Sequence, residues 1–151
     1  MIEVSKRQRA NAIEAKAMWL TIPEDRVVPG LDKWQRKTYK KDQNGIKQCK
    51  TLACFGGWCA VHPAFEAQGI RLSSSGIGPV YDGPETFKDG IQIFDVDQIL
   101  FGMEYMFVAR GIHDAEYFAE LQDSEAYEAR SDWQIVMDRI DWLIENTVVR
   151  A

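Results

Sequence analysis

Long hydrophobic runs are absent: no apolar stretch approaches the roughly 18 residues that cross a bilayer, so no membrane helix is expected. Histidine is scarce, with two in 151 residues, and cysteine numbers only three. An odd cysteine count does not build a disulfide framework and suits a reducing compartment. The opening Met1-Ile2-Glu3-Val4-Ser5-Lys6-Arg7-Gln8-Arg9 lacks the apolar centre of a signal peptide, so a cytoplasmic protein is expected. No internal repeat is evident, which sets solenoids aside. What the chain does have is aromatic weight, with five Trp, five Tyr and seven Phe, and 46% hydrophobic residues overall. Such side chains need burial, which excludes a disordered chain. One domain over residues 1–151 is expected, burying about two-thirds of the surface that the unfolded form exposes.

The net charge of −5 conceals a division. Residues 1–50 carry 12 Lys or Arg against 6 Asp or Glu, residues 51–81 carry only Glu66 and Arg71, and residues 82–151 carry 5 basic and 16 acidic side chains. The split predicts a surface with two regions of opposite sign or, where folding interleaves them, ordinary solvated faces.

The patterning predicts a mainly α, compact single-domain helical fold with a small β-hairpin or irregular basic ribbon. A first helix is expected from Val4 to Leu20, with Ala10, Ile13, Ala17 and Leu20 as its apolar stripe and Met18 and Trp19 widening it. Pro23 should stop it near Thr21, and Val27-Val28-Pro29-Gly30 reads as a turn. Asn44-Gly45 is a two-residue hairpin signal inside the basic stretch from Asp32 to Lys50. Thr51 is a candidate cap for a helix carrying Ala53 to Val61. Two adjacent glycines there, Gly56 and Gly57, cost on the order of 2 kcal/mol against alanine, so another helix is expected to approach closely over them. Pro63 to Ile70 reads as a helical turn, Arg71 to Pro84 as loop, and Thr86 to Phe94 as a short helix. Asp97 should cap a helix presenting Ile99, Leu100 and Phe101, and another helix is expected from His113 to Tyr127. The last helix is the clearest: Ser131 or Asp132 caps it, and Trp133, Val136, Met137, Ile140, Leu143 and Ile144 repeat at helical spacing.

Several motifs carry chemistry. Cys49-x4-Cys54-x4-Cys59 followed by His62 has the ligand types for zinc, but five residues turn a helix by about 140°, so Cys54 and Cys59 diverge, and no metal site is expected. Small apolar residues in a tight helix contact are the ordinary reading. Cys54 near a helix start and Lys50 could be an activated thiol, although neither histidine supplies a base in a recognisable context. Ser73-Ser74-Ser75-Gly76-Ile77-Gly78-Pro79 is rich in backbone donors but lacks the Lys and following helix of a phosphate loop. The basic stretch, with Lys33, Arg36, Lys37, Lys40 and Lys41 interleaved by Trp34 and Tyr39, has cations for phosphates and rings for bases, against a sequence pI of about 5.1. A solvated hairpin is its ordinary reading. Glu104 to Glu145 holds 11 acidic and 3 basic side chains, and Glu116, Glu120, Asp123 and, less aligned, Glu128 could face a basic partner or simply solubilise the chain.

The segment Cys49-Lys50-Thr51-Leu52-Ala53-Cys54-Phe55-Gly56-Gly57-Trp58-Cys59-Ala60 resembles a widespread group of small bacterial and phage proteins with a Cys-Gly-Thr-x-x-Cys-x-x-Gly-Trp/His-Ala motif. The resemblance continues through Pro63-x-Phe65, Gly69, Pro79-Val80-Tyr81-x-Gly83, Phe87 and Leu100-Phe101, with gaps, and ends in a helix like that around Ile135 to Ile144. Lys50 stands where the group has glycine, and Cys59 where alanine is more usual. The resemblance implies a small helical accessory protein, phage-encoded, and brings no catalytic residues with it.

The leading expectation is therefore a non-enzymatic protein, without cofactor, that binds and modulates a host protein. Its surface would be the acidic helices (Glu116, Glu120, Asp123, Glu128) or the basic ribbon (Lys33, Arg36, Lys37, Lys40, Lys41). A second reading is a nucleotide or phosphate binder with a pocket near Trp58, Arg71 and Tyr81. A third is a zinc protein or thiol enzyme using Cys49, Cys54, Cys59 and His62. The oligomeric state is open.

Overall fold

In the computed structural model the described residues are 1–27, 36–41, 47–52, 54–72, 79–82, 87–88, 91–92, 96–103, 106 and 129–151. The fold is mainly α, with helices α1 (Lys6–Trp19), α2 (Phe55–Val61), α3 (Pro63–Glu66), α4 (Val96–Phe101) and α5 (Asp132–Asn146). Short strands accompany them in four two-stranded pairings: β1 (Ile2–Val4) with β8 (Thr147–Val149), β2 (Arg36–Lys41) with β3 (Lys47–Leu52), β4 (Ile70–Leu72) with β5 (Pro79–Tyr81), and β6 (Phe87–Lys88) with β7 (Ile91–Gln92).

Helix α1 starts where its sequence supplies a capping box. Ser5 Oγ accepts from the Gln8 backbone N–H at 3.1 Å, and Gln8 Oε1 accepts from the Ser5 N–H at 2.8 Å, so two otherwise orphaned donors are met. It ends before Pro23, as expected. The buried face keeps only the widening residues of the expected stripe, Met18 and Trp19. Asn11, Ala12, Ala15, Met18 and Trp19 are buried, whereas Ala10, Ile13, Ala17 and Leu20 are exposed, Ile13 at 54% and Leu20 at 62%. The large side chains Met18 and Trp19 set the inward direction, and Ala12 and Ala15 on the same face let α4 and α5 come close. Asn11 is tolerated there because its Nδ2 donates to Leu100 O and Gln68 Oε1, each at 2.9 Å, while Gln68 Nε2 donates back to Asn11 Oδ1 at 2.8 Å.

Helix α5 follows its sequence closely. Ser131 Oγ accepts from the Gln134 N–H at 3.2 Å, and Val136, Met137, Ile140 and Leu143 are buried with Ile135. Its C-terminus has no glycine cap. Instead, Asn146 Nδ2 donates to Trp142 O at 2.8 Å, Thr147 Oγ1 donates to Leu143 O at 2.6 Å, and the Arg9 guanidinium donates to Ile144 O. The chain then enters β8, which runs parallel to β1 with Ile2 opposite Thr147 and Val4 opposite Val149. This pairing of residues from opposite ends of the sequence has no local signal.

The remaining corrections concern strands. Residues 70–81 were expected as the end of a helical turn followed by loop, yet β4 and β5 form an antiparallel ribbon, with Leu72 opposite Pro79. The expected helix from Thr86 to Phe94 is replaced by the antiparallel pair β6 and β7, in which Lys88 opposes Ile91. Asp97 lies inside α4 rather than capping it. The expected ribbon is present as β2 and β3, with Lys41 opposite Lys47, while the Asn44-Gly45 turn itself lies outside the described residues. The turn at 28–30, the serine loop 73–78 and the helix from His113 to Tyr127 lie outside the described residues.

A single buried cluster joins Ala12 to Leu143 through α1, α2, α4 and α5. At its centre a row of rings runs Trp19–Phe55 (5.2 Å, edge-on), Phe55–Phe101 (5.9 Å, stacked) and Phe101–Phe65 (6.0 Å, edge-on). Two glycines with positive φ shape the turns around it. A Cβ on Gly69 (φ +97°) would lie 2.9 Å from the Asp82 backbone oxygen, whereas one on Gly102 (φ +77°) would meet side chains, Gln8 Oε1 at 2.9 Å and Val4 Cγ1 at 3.0 Å. Gly69→Ala should therefore destabilise by about 2–3 kcal/mol and Gly102→Ala by about 1–2 kcal/mol, read from urea midpoints. The reverse order would mean that backbone at Asp82 yields more easily than a side chain.

Candidate functional site

The segment from Cys49 to His62 leads from the basic hairpin into the core. β3 stays extended through Thr51 and Leu52, so Thr51 does not cap α2; Cys54 occupies the N-cap position, and its side chain makes no capping hydrogen bond. A strand pairing, Lys37 opposite Thr51, has taken the residue that local sequence offers as a cap. Phe55, Gly56, Gly57, Cys59 and Ala60 are buried, as expected for the central helix. Among the described elements α2 packs most extensively on the β4–β5 ribbon.

Neither Cys54 nor Cys59 is in a disulfide, and both are buried, at 1% and 0% exposure. Burial first, and then the proximity of Cys54 and Asp97, hold the Cys59 thiol well above its ordinary pKa. It is protonated at neutral pH and is no nucleophile. Because the folded state keeps this proton after the unfolded chain has lost it, the contribution to stability is complete below the ordinary thiol pKa and falls as pH rises through the window up to the raised value. Unfolding free energy should drop by up to about 1.4 kcal/mol per pH unit there, and a Cys59→Ala variant should lose that slope. Equal slopes in the two proteins would mean that Cys59 titrates alike folded and unfolded. Among the described residues no group of three His, Cys, Asp or Glu side chains is placed to hold a metal ion. His62, at the junction of α2 and α3, pairs through Nε2 with Glu14 Oε1 at 2.8 Å, and its ring lies 5.3 Å from that of Phe65.

Of the residues expected around a small ligand, Arg71 and Tyr81 lie on opposite faces of one ribbon. Trp58 Nε1 donates to Arg26 O at 3.1 Å. In the β4–β5 ribbon Ile70 opposes Tyr81, and both lie on the face toward the core; Arg71 opposes Val80 on the other face. Arg71 is exposed and engaged by Asp82, which holds the guanidinium pKa up through a hydrogen bond and charge attraction. A phosphate at Arg71 would have to displace that carboxylate. Asp82 was missed as a partner because only the ribbon register brings positions 71 and 82 together diagonally.

The basic hairpin has the most consistent chemistry. β2 reads Arg36-Lys37-Thr38-Tyr39-Lys40-Lys41 and β3 reads Lys47-Gln48-Cys49-Lys50-Thr51-Leu52, twelve residues with six cations and no acid. The register, from Arg36 opposite Leu52 to Lys41 opposite Lys47, places positions 36, 38, 40, 48, 50 and 52 on one face and 37, 39, 41, 47, 49 and 51 on the other. Each face thus holds three Lys or Arg positions. Among the described elements β3 also lies alongside the 3-10 turn Glu24–Arg26, while β2 has its extensive pairing with β3 alone. Lys33 and the acidic candidates Glu116, Glu120, Asp123 and Glu128 lie outside the described residues. No helix among the described residues is long and apolar enough to cross a membrane. No protein-family model, curated protein or solved structure matches the chain.

Proposed function

We propose that the chain is a non-enzymatic, cytoplasmic accessory protein, phage-encoded, that binds and modulates a host protein through its basic ribbon. The observation that carries the reading is the β2–β3 hairpin itself, six cations and no acid in twelve paired residues, joined directly to the buried helix α2. A hairpin rooted in the core holds its charges in a fixed register, which favours recognition of a complementary acidic surface over diffuse attraction. The acidic segment with Glu116, Glu120, Asp123 and Glu128 is the rival surface within the same reading.

The test is capture from nuclease-treated bacterial lysate with the tagged full-length chain. It is run beside a ribbon reversal (Arg36→Glu, Lys37→Glu, Lys40→Glu, Lys41→Glu) and an acidic reversal (Glu116→Lys, Glu120→Lys, Asp123→Lys, Glu128→Lys). Thermal unfolding checks that each variant folds. One stoichiometric protein retained by the wild type, lost in the ribbon reversal and released by salt that screens exposed charge supports the reading. Retention that survives the ribbon reversal and fails in the acidic one moves the interface to the second segment. Retention by both variants, or by none of the three proteins, overturns the charged-surface reading.

A further inference from the structure

We propose that the outer edge of β2 receives an extended acidic segment of the partner as an added strand, a mode that rests on the ribbon reading above. Two-stranded sheets leave unpaired N–H and C=O groups along their edges, and an added strand takes its affinity from those groups and its specificity from alternating side chains. Among the described strands β2 pairs with β3 alone, whereas β3 also lies alongside the 3-10 turn Glu24–Arg26, so β2 is the edge that the proposal takes.

The distribution of cations identifies the occupant. A ligand lying over one face of a ribbon, as a nucleic-acid groove would, meets only the positions of that face. A strand beside the edge presents side chains to both faces. Here the cations are divided equally between the faces, and on β2 they come in adjacent pairs, Arg36-Lys37 and Lys40-Lys41, separated by Thr38-Tyr39. Each pair places one cation position on each face. The complement is an extended segment with two adjacent acidic residues, two neutral ones and two further acidic ones, since opposite charges directly across a strand pair attract. That pattern reads the same in both directions, so it fits parallel or antiparallel addition. The same lysines discourage edge pairing between copies of this chain, because cation would face cation.

The probe is a blocked, dye-labelled peptide, Thr-Glu-Glu-Val-Thr-Glu-Glu-Thr, titrated into the unmodified full-length chain by fluorescence polarisation. Two control peptides accompany it, one with Lys at the four Glu positions and one with alternate backbone nitrogens methylated. Saturable binding of the acidic peptide is expected. The methylated peptide should be weaker by about tenfold or more, the loss that follows from removing two or three main-chain hydrogen bonds, and the Lys peptide should not bind. Hydrogen exchange should slow at β2 amides on peptide addition. Equal binding of the methylated and unmethylated acidic peptides overturns strand addition while leaving a charged ribbon surface intact. No peptide binding, with partner capture still lost in the ribbon reversal, also overturns strand addition alone. Binding of a DNA duplex in place of the peptide, or partner capture indifferent to the ribbon, overturns both readings.

Discussion

Trp19→Ala is expected to lower the unfolding free energy by about 4 kcal/mol, a large share of the total for a domain of this size. The indole is fully buried, meets Phe55 edge-on at 5.2 Å and sits in the cluster joining α1, α2, α4 and α5. Truncation therefore opens a cavity where four helices meet. It also breaks one of two reciprocal bonds: Trp19 Nε1 donates to Trp133 O at 2.9 Å, and Trp133 Nε1 donates to Trp19 O at 3.2 Å. These bonds tie the C-terminal end of α1 to the N-terminal end of α5. Trp19→Phe keeps most of the volume and loses the donor, so it should cost about 1–2 kcal/mol. Urea unfolding of the three proteins separates the two contributions. A loss below about 1 kcal/mol for the alanine variant would show that the four-helix junction does not depend on this ring.

Asp97→Ala comes next, at about 2–3 kcal/mol. Asp97 is 7% exposed, and its carboxylate accepts from the Gln98 N–H and from the buried Met106 N–H, both at 3.0 Å. It thereby fastens the chain after α4 to the start of that helix. Removing the carboxylate strands a buried amide, and the penalty is that of an unmet donor rather than of a lost surface charge. Asp97→Asn keeps one acceptor oxygen and should fall between wild type and alanine. The Cys59 thiol provides a second readout. Burial keeps its pKa up in every variant, but loss of the nearby Asp97 charge should bring it partway down, so the loss of unfolding free energy at high pH should span a narrower window. An unchanged window would mean that the two groups do not sense each other.

Much of the helical framework was legible because its signals are local. Pro23 marks the end of α1, Ser131 caps α5, and the apolar spacing from Val136 to Leu143 gives that helix its inward face. Where local signals competed, the sequence misled. On α1 the stripe of Ala10, Ile13, Ala17 and Leu20 has the right spacing, but Met18 and Trp19 carry far more apolar surface and turned the helix toward themselves. Asn44-Gly45 predicts a two-stranded ribbon around it, and β2 and β3 are that ribbon. The pair with two residues between its strands is β6–β7, around Asp89-Gly90, a dipeptide of the same turn-forming kind inside a stretch read as helix. The β1–β8 pairing was not legible at all, since three-residue strands from opposite ends of a chain leave no periodicity to read. The candidate site was legible as composition. The split of its cations between two faces required the register.

The β1–β8 pair also sets how the molecule should respond to force. The strands are parallel and in register, with Ile2 opposite Thr147 and Val4 opposite Val149. A pull applied at residues 1 and 151 therefore acts on opposite ends of the pair and slides one strand along the other. All the interstrand bonds bear load together instead of opening one after another like a zip. Arg150 N–H donating to Val4 O at 2.8 Å lengthens this clamp, and the Arg9 guanidinium on Ile144 and Thr147 secures its far end. Pulling instead from residue 1 and a handle near residue 146 would peel the same strands apart. The short terminal strands thus make the protein mechanically directional, resisting extension along its own chain more than it resists peeling.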